Sequence, residues 1–144
     1  MNVNEYFSNM KHFKNKIVVI TAKDSAANYI NRCRMREALH LEMHIGQRNS
    51  YVAVVDNKRG FVWENASPTK QDCSYKVGRR YIDMVSGGFD SGNVSSVKIG
   101  DKEFSYNRRG LNVAIFHYRT LELVDSFVVD PHEDGNVAVR RGEA

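Results

Sequence analysis

The chain has 144 residues, of which 42% are hydrophobic and 26% are charged, and its formal net charge is +4 at pH 7. This length suits one domain that buries about two-thirds of its unfolded surface, and the composition is that of a soluble globular protein. The modest positive charge favours acidic partners but does not by itself indicate nucleic acid. We therefore expect a single domain over residues 1–144, with residues 1–15 and 132–144 as flexible ends.

Two features of the sequence bear on cellular location. The apolar run Ile17–Ile20 is too short for a signal-peptide core or a membrane span, which predicts a cytoplasmic protein without a membrane span. Cys33 and Cys73 are the only cysteines. Two cysteines do not make a disulfide framework, so we expect both to be reduced thiols buried in packing.

The first predicted elements are a strand and a helix. Lys16–Thr21 is a β-branched run bounded by charge, which predicts a buried strand. Ala26–Met43 contains neither Gly nor Pro, and its apolar residues recur at roughly helical spacing. With Asp24 or Ser25 as its N-cap, this segment predicts the one main helix of the chain.

The rest of the chain predicts strands joined by turns. Gly100 and Asp101 indicate a short hairpin, and Ser67–Ser74 reads as a loop. The predicted fold class is a strand-rich α+β domain with mostly antiparallel sheets, and its exposed edge strands are compatible with a homodimer. The predicted strands are Ser50–Asp56, Arg59–Glu64, Arg79–Ser86, Val94–Ile99, Lys102–Tyr106, Leu111–Tyr118 and Leu121–Val129.

Three charged residues stand where apolar strands begin or end. Asp24 follows the first strand, Arg48 precedes the second, and Arg109 precedes the strand that starts near Leu111. If these strands are neighbours, the three residues converge on one edge of the sheet. A carboxylate between two guanidinium groups is an array of acceptors and donors that suits vicinal sugar hydroxyls. The same residues could equally form an ion-pair network that orders the strand ends.

Four parts of the chain resemble motifs of one protein family. The motifs are a strand followed by Asp and small residues, a helix end with an Arg-x-Ser/Thr-aromatic strand, a hairpin leading into Arg-Gly-x-Asn, and a closing strand. In chain order they correspond to Thr21–Ala26, to Ala38–Leu41 with Arg48–Val52, to Ser95–Gly100 with Asn107–Val113, and to Val124–Asp130.

The family that these motifs resemble is that of the interleukin-like EMT inducers, which also includes the stem domain of the O-mannose N-acetylglucosaminyltransferase. The similarity runs from about Lys16 to His132. In this chain the two halves stand in permuted order, which a packed sheet tolerates if its termini lie close together. Asn49 stands where the family often has Asp, and Val129 replaces the Phe expected before the last Asp.

The resemblance implies a compact β-rich fold without catalytic machinery and a site that binds a sugar through Asp and Arg side chains. Asp24 matches the family's Lys-Asp position, Arg48 its Arg-x-Ser/Thr position, and Arg109 its Arg-Gly-x-Asn position. Tyr51, close to Arg48 in the sequence, could offer a ring face to a sugar, although strand alternation could equally place it in the core.

The other candidate motifs in the sequence favour structural roles over metal binding, catalysis or nucleic-acid binding. His40 and His44 have the spacing of a metal-binding pair, but a third ligand is not evident and a solvated helix face is favoured. The sequence contains no recognisable activated nucleophile or phosphate loop, so we expect no catalytic residue, no metal and no cofactor. Short arginine clusters interspersed with acidic residues favour a solvated surface over nucleic-acid binding.

The sequence thus predicts a non-catalytic carbohydrate-binding module whose partner is a glycan or a glycosylated intermediate. A role in polysaccharide biosynthesis, beside a glycosyltransferase or another glycan-processing protein, rests on analogy with the family. The alternative is a protein–protein interaction domain in which Asp24, Arg48 and Arg109 are structural.

Overall fold

A computed structural model gives the architecture of the chain and describes residues 3–9, 13–24, 34–43, 45, 48–129 and 138–140. The helices within these ranges are α1 (Val3–Ser8) and α2 (Arg34–Ala38). The strands are β1 (Lys16–Asp24), β2 (Ser50–Asp56), β3 (Phe61–Ser67), β4 (Gln71–Val77), β5 (Arg80–Gly88), β6 (Val94–Ile99), β7 (Lys102–Glu103), β8 (Gly110–His117), β9 (Leu123–Val129) and β10 (Ala138–Arg140).

The sheet branches at β1. On one side, β1 pairs antiparallel with β8 along almost its whole length. On the other side, Ile17 to Thr21 pair antiparallel with β2, whereas Lys23 and Asp24 pair parallel with Gly87 and Gly88 of β5. Two layers therefore diverge from the end of β1. One runs β3-β2-β1-β8-β9-β10 and the other β4-β5-β6-β7, with antiparallel pairing inside each layer.

Two apolar cores lie on opposite faces of the layer that contains β1. Val18 and Ile20 point into the first core, whereas Ile17 and Val19 point into the second, against the β4–β7 layer. Because successive side chains of a strand face opposite sides, a central strand between two cores must be apolar throughout. That requirement explains the continuous hydrophobic runs of β1, β2 and β8, which resemble the pattern of strands covered on both faces.

The N-terminal segment covers the first core. Tyr6 and Phe7 of α1 are buried, and their rings meet the ring of Phe127 edge-on at 5.4 and 6.1 Å between centroids. Phe13 is also buried, 5.6 Å from Phe7. Part of the N-terminal end that we expected to be flexible is therefore a packed helix. At the C-terminal end, β10 pairs with β9, so this expected flexible end contains a paired strand.

The main helix predicted over Ala26–Met43 is wrong in its C-terminal part. Residues 25–33 lie outside the described residues, and α2 ends at Ala38. The amide of His40 donates to the carbonyl of Glu37 and that of Leu41 to the carbonyl of Arg36. His40 has φ 58°, so the helix closes with a left-handed residue in a Schellman motif. Glycine usually takes that position, and a histidine there gave no stop signal in the sequence.

The loop predicted over Ser67–Ser74 is also wrong, because β4 begins at Gln71. Its residues alternate between partly buried and exposed, with Cys73 and Tyr75 packed against the second core and Asp72 and Ser74 outside. Alternation of apolar and polar residues is the usual sequence signal of such a strand, but the inward residues within the predicted loop are Gln71 and Cys73, which are not aliphatic, so the signal was missing. Several other strands agree with the prediction, and Ser50–Asp56 and Val94–Ile99 have the predicted bounds.

The predicted fold class is confirmed at the level of a strand-rich domain with mostly antiparallel pairing. The hairpin at Gly100 and Asp101 is present, because Ile99 pairs with Lys102 across it. The family assignment and the single-domain assignment remain predictions. These features place the ends of β1 and β5 beside the start of β8, and that junction carries the residues selected from the sequence.

Candidate functional site

The side chain of Ser86 links β1 and β2 by hydrogen bonds at the point where β5 separates these two strands. Its hydroxyl donates to the carbonyl of Ala22 at 2.6 Å and accepts from the amide of Tyr51 at 2.9 Å. Both backbone groups lie one step beyond the last β1–β2 pair. The side chain of Ser86 is fully buried, so it supplies the hydrogen bonds that the ladder between β1 and β2 can no longer make.

Gly87 and Gly88 follow Ser86, and their lack of a side chain lets the backbones of Ser91 and Arg48 approach β5 closely. A Cβ on Gly87 would collide with the carbonyl oxygen of Ser91, and one on Gly88 with the carbonyl oxygen of Arg48. Gly88 also pairs with Asp24 in the parallel ladder. The backbone of Arg48 therefore lies on Gly88, and Gly88 lies beside Asp24.

Asp24 and Arg48 share an unusual backbone conformation. Their φ angles are 65° and 60°, in the left-handed region that L-residues other than Gly, Asn and Asp rarely enter. For Arg48 this conformation is costlier than it would be for glycine. Strained residues of this kind cluster at ligand-binding positions, although structural turns adopt the same conformation.

The segment before β8 is held by asparagine side chains. Asn112 accepts from the amide of Arg108 at 3.2 Å and donates to its carbonyl at 2.8 Å. Asn107 accepts from the amide of Ser95 at 2.8 Å. These bonds define the role of the Asn in the Arg-Gly-x-Asn motif, which orders the backbone that presents Arg109 directly before β8.

A chain of hydroxyls lies beneath this segment and joins the two layers. Thr21 of β1 is hydrogen-bonded to Ser95 of β6, and the hydroxyl of Ser95 lies 2.7 Å from that of Ser105. Thr21 and Ser95 are buried. Their mutual hydrogen bonds satisfy polar groups that would otherwise destabilise the interior.

The chain segments of Asp24, Arg48 and Arg109, the three charged residues selected from the sequence, lie close together at one edge of the fold. Gly110, directly after Arg109, pairs with Lys23 on one side of β1, while Gly88 pairs with Asp24 on the other. Adjacent strands are about 5 Å apart, so the chain segments carrying the three residues are close neighbours. We call this place the Gly88 edge, made of Lys23, Asp24, Arg48, Gly88, Phe89 and Arg109.

Tyr51, the fourth residue selected from the sequence, does not belong to the Gly88 edge. Its side chain is fully buried in the first core, and its hydroxyl donates to Glu64 Oε1 at 2.7 Å. The ring therefore has no face open to a ligand. Tyr51 therefore lies in the core, because the odd-numbered residues of β2 face α1 and α2.

Phe89 is the exposed aromatic residue at this edge, and the sequence reasoning missed it. Its side chain is 49% exposed, and the guanidinium carbon of Arg48 lies 4.6 Å from its ring centroid. Arg48 Nη1 also lies 3.6 Å from Asp90 Oδ2. The only sequence signal was an aromatic residue inside a glycine-rich turn, which does not reveal what the turn packs against.

A second polar cluster, at the opposite end of the fold, surrounds Asp56. This carboxylate is fully buried, accepts from Tyr75 Oη and Arg59 Nη1 at 2.7 Å each, and accepts from the amide of Arg59 at 3.0 Å. Burial raises the pKa of Asp56, but the hydrogen bonds from Tyr75 and Arg59 outweigh it, and the pKa lies below its ordinary value. Burial and the bond to Asp56 raise the pKa of Tyr75 to about 12. Every member has a partner, which indicates a structural role.

Metal and thiol chemistry find little support in the described part of the chain. These residues contain no group of His, Cys, Asp and Glu side chains that could hold a metal ion. His40 lies in the turn after α2, and His44 falls outside the described residues. Cys73 is a free, half-buried thiol whose pKa is raised by burial and by Asp72, so little of it is thiolate at neutral pH. Cys33 also falls outside the described residues.

No protein-family model matches the chain, and no curated protein or solved structure matches it either. The resemblance to the interleukin-like EMT inducers is therefore a prediction based on short motifs. Neither helix in the described ranges is long and apolar enough to cross a bilayer.

Proposed function

We propose that the chain is a non-catalytic carbohydrate-binding module whose site is the Gly88 edge. The observation that carries the proposal is that the chain segments of Asp24, Arg48 and Arg109, which are distant in the sequence, lie at one edge, because β1 pairs with β5 and β8 and the backbone of Arg48 lies against Gly88. The positions of these residues at strand ends and the motif resemblance both favour them as site residues, and the proximity of their chain segments supports the proposal.

The chemistry of the edge suits a polyhydroxylated ligand. The Asp24 carboxylate has no hydrogen bond or ion pair with a described side chain, so it can accept from sugar hydroxyls, while arginine side chains donate to sugar oxygens. Phe89 offers an apolar ring beside them. Ligand sites commonly combine an apolar surface with a few well-placed polar groups. A role beside a glycosyltransferase or another protein of polysaccharide biosynthesis is part of the proposal and rests on the family resemblance.

The test is a glycan array probed with the purified chain and with Arg48→Ala and Arg109→Ala. Arg79→Ala is the matched control, because Arg79 is an exposed arginine in the turn before β5, at the opposite end of that strand. Loss of a charge-assisted hydrogen bond predicts about tenfold weaker binding or more for each edge variant and no change for the control. Circular dichroism and thermal melting establish that all variants are folded.

The array has two informative outcomes. A glycan bound by the parent chain and by Arg79→Ala, and lost in both folded edge variants, supports the proposal and locates the site. Absence of any bound glycan, or binding that ignores both edge arginines, contradicts it.

A protein–protein interaction domain is the second candidate, favoured by the surface of β3. Phe61, Val62 and Trp63 at its start are 41%, 41% and 38% exposed. Among the described strands β3 pairs only with β2, so its other edge can accept a further strand. The simplest such interaction is a homodimer formed through β3, and analytical ultracentrifugation of the parent chain and of Val62→Lys tests it. A concentration-dependent dimer lost in the variant supports this candidate, and a monomer at all concentrations rejects the homodimer.

A further inference from the structure

Four turns lie at the end of the fold opposite the Gly88 edge. They comprise residues 56–61, 76–81, 99–102 and 117–122, and they join β2 to β3, β4 to β5, β6 to β7 and β8 to β9. All of these residues are described, and they include seven basic and three acidic side chains. The excess of four positive charges equals the net charge of the whole chain, +4. We call these four turns the basic end.

The turns bring together two arginine clusters that are far apart in the sequence. Arg80 Nη1 donates to the carbonyl of Thr120 at 2.8 Å, across 40 positions. Arg79 and Arg119 directly precede these two residues, so their chain segments are close neighbours. Short and scattered arginine clusters favour a solvated surface, but in the fold these clusters form one surface.

The arginines of the basic end differ in how far the chain compensates their charge. Arg59 is paired with the buried Asp56 at 2.7 Å, so this pair adds no net charge. The side chains of Arg79 and Arg119 are exposed, and neither has a hydrogen bond or ion pair with a residue that the structure describes. Arg80 donates to a carbonyl, which is neutral. Three arginines therefore keep their charge for a ligand.

Two exposed aromatic rings border these arginines. Tyr81 directly follows Arg80, is 49% exposed, and has the ammonium group of Lys76 at 5.8 Å from its ring centroid. Phe61 is 41% exposed and stacks on Tyr75, with 5.3 Å between ring centroids and 12° between ring planes. The stack fixes the Phe61 ring, so the ring presents a preformed apolar surface. Nucleic-acid bases stack on aromatic rings of this kind beside cationic side chains.

We propose that the basic end binds single-stranded nucleic acid, with phosphates on Arg79, Arg80 and Arg119 and bases stacked on Tyr81 and Phe61. Arginine can form two parallel hydrogen bonds with a phosphate group. Every base has a face that can stack, so we expect binding without sequence preference. A duplex keeps its bases in its own stack and would use the arginines alone. The basic end is separate from the Gly88 edge, so this inference does not rest on sugar binding.

The first experiment measures the affinity of the purified chain for a labelled oligothymidylate of about 15 nucleotides. Fluorescence anisotropy is recorded from about 50 to about 300 mM NaCl. The test variant combines Arg79→Ala with Arg119→Ala. The charge-matched control combines Lys70→Ala with Arg108→Ala, two exposed residues at the opposite end of the fold. Each lost phosphate contact lowers the slope of log K against log salt by about 0.7. We therefore expect a slope smaller by about 1.4 in the test variant, with affinity about tenfold lower or more.

The second experiment tests the stacking. Tyr81→Ala should bind about tenfold more weakly, because one base loses its ring, whereas Tyr81→Phe keeps the ring and should bind like the parent chain. Four other ligands are compared with the oligothymidylate. Inorganic polyphosphate and heparin supply charge without bases, a duplex of equal length supplies paired bases, and phosphatidylserine vesicles supply an anionic membrane. Circular dichroism and thermal melting establish that all variants are folded.

Oligothymidylate binding that is weakened in the arginine variant and in Tyr81→Ala, but kept in the charge-matched control and in Tyr81→Phe, supports the proposal. Absence of binding at the lowest salt concentration overturns it, and so does equal weakening in the charge-matched control. An unchanged affinity of Tyr81→Ala overturns the single-stranded ligand, as does equally tight binding of the duplex, polyphosphate, heparin or vesicles. Glycan binding at the Gly88 edge should persist in the arginine variant, so failure of either proposal is distinguishable from failure of the other.

Discussion

The backbone carbonyl of Arg48 lies against the Cα of Gly88, so close that a methyl group on Gly88 would overlap it. Gly88 is at the same time the parallel partner of Asp24. The start of β2 and the ends of β1 and β5 are thus joined through a position that accepts no side chain. The conformation of the candidate site depends on this contact.

Replacing Gly88 by alanine should therefore destabilise the fold by about 3 kcal/mol, the upper part of the range for overpacking, because the clash is with backbone. Gly100→Ala is the control. Gly100 has a φ of 61°, unlike Gly88, but nothing lies within 4 Å of its added Cβ, so Gly100→Ala should lose only about 1 kcal/mol, from the backbone conformation. Urea unfolding of both variants measures the difference. Equal losses would show that the close approach to Arg48 is not energetically important.

Ser86→Ala should lower the free energy of unfolding by about 2 kcal/mol, because it removes the buried hydroxyl that bonds the Tyr51 amide and the Ala22 carbonyl. Ser74 of β4 is an exposed serine that bonds Asp83, and Ser74→Ala should change stability by less than about 0.5 kcal/mol. Hydrogen exchange at Tyr51 provides a local readout. An unchanged exchange rate there in Ser86→Ala would contradict the assigned role.

The stability that Asp56 contributes should depend on pH in the acid range. Its pKa is lowered in the folded state, so the ionised carboxylate stabilises the fold above its unfolded pKa of about 3.9 and loses that contribution as the pH falls through the folded value. Asp56→Asn should be less stable than the parent chain at pH 7, and the gap should narrow below about pH 4. Urea unfolding at several pH values measures it, and a gap that is constant with pH would contradict the assignment.

Tyr75 should make the stability of the fold depend on pH in the alkaline range. Its pKa is raised to about 12, so its neutral form contributes stability below the ordinary tyrosine pKa of about 10, and that contribution is lost as the pH rises towards the folded value. Tyr75→Phe should therefore flatten the decline in stability above about pH 10. Tyr81→Phe, which removes an exposed hydroxyl on the outer face of β5, should leave the decline unchanged.

Arg48→Gly distinguishes a binding role from a structural one. Glycine adopts the φ of 60° found at this position without strain, so the variant should be as stable as the parent chain or more stable by up to about 1 kcal/mol. It should nevertheless lose ligand binding as completely as Arg48→Ala. A clear loss of stability, measured by thermal and urea unfolding, would favour the alternative in which Arg48 orders the strand ends.

The elements predicted best are those whose signals are local. β2 and β6 have the predicted bounds because β-branched and apolar residues run continuously or alternate between charged turns. The hairpin at Gly100 follows from a glycine with positive φ. β4 was missed and α2 was predicted to be too long, because Cys73 and Tyr75 are not aliphatic and because His40 takes a position usually held by glycine.

The candidate site was predictable in part. The strand-end positions and the motifs indicated Asp24, Arg48 and Arg109, and the β1 ladders together with the contact of Arg48 on Gly88 bring their chain segments close. Tyr51 was assigned to the site and lies in the core, while Phe89 was overlooked and is exposed beside Arg48. Which face of an apolar strand packs against the helices, and which turn residue contacts an arginine, depend on partners far along the chain.

The sequence by itself determined the strand-rich character, the apolar central strands and the positive charge, since these depend on residue type and on neighbours within a few positions. Only the tertiary structure decided that the end of β5 pairs with the end of β1 and that the Ser86 hydroxyl donates to the Ala22 carbonyl, 64 positions away in the sequence. The same holds for the contact between the backbone of Arg48 and Gly88. Strand pairing of this kind is selected by the burial of two cores at once. No local pattern encodes it, because the energy that selects it is gained only when all the layers pack together.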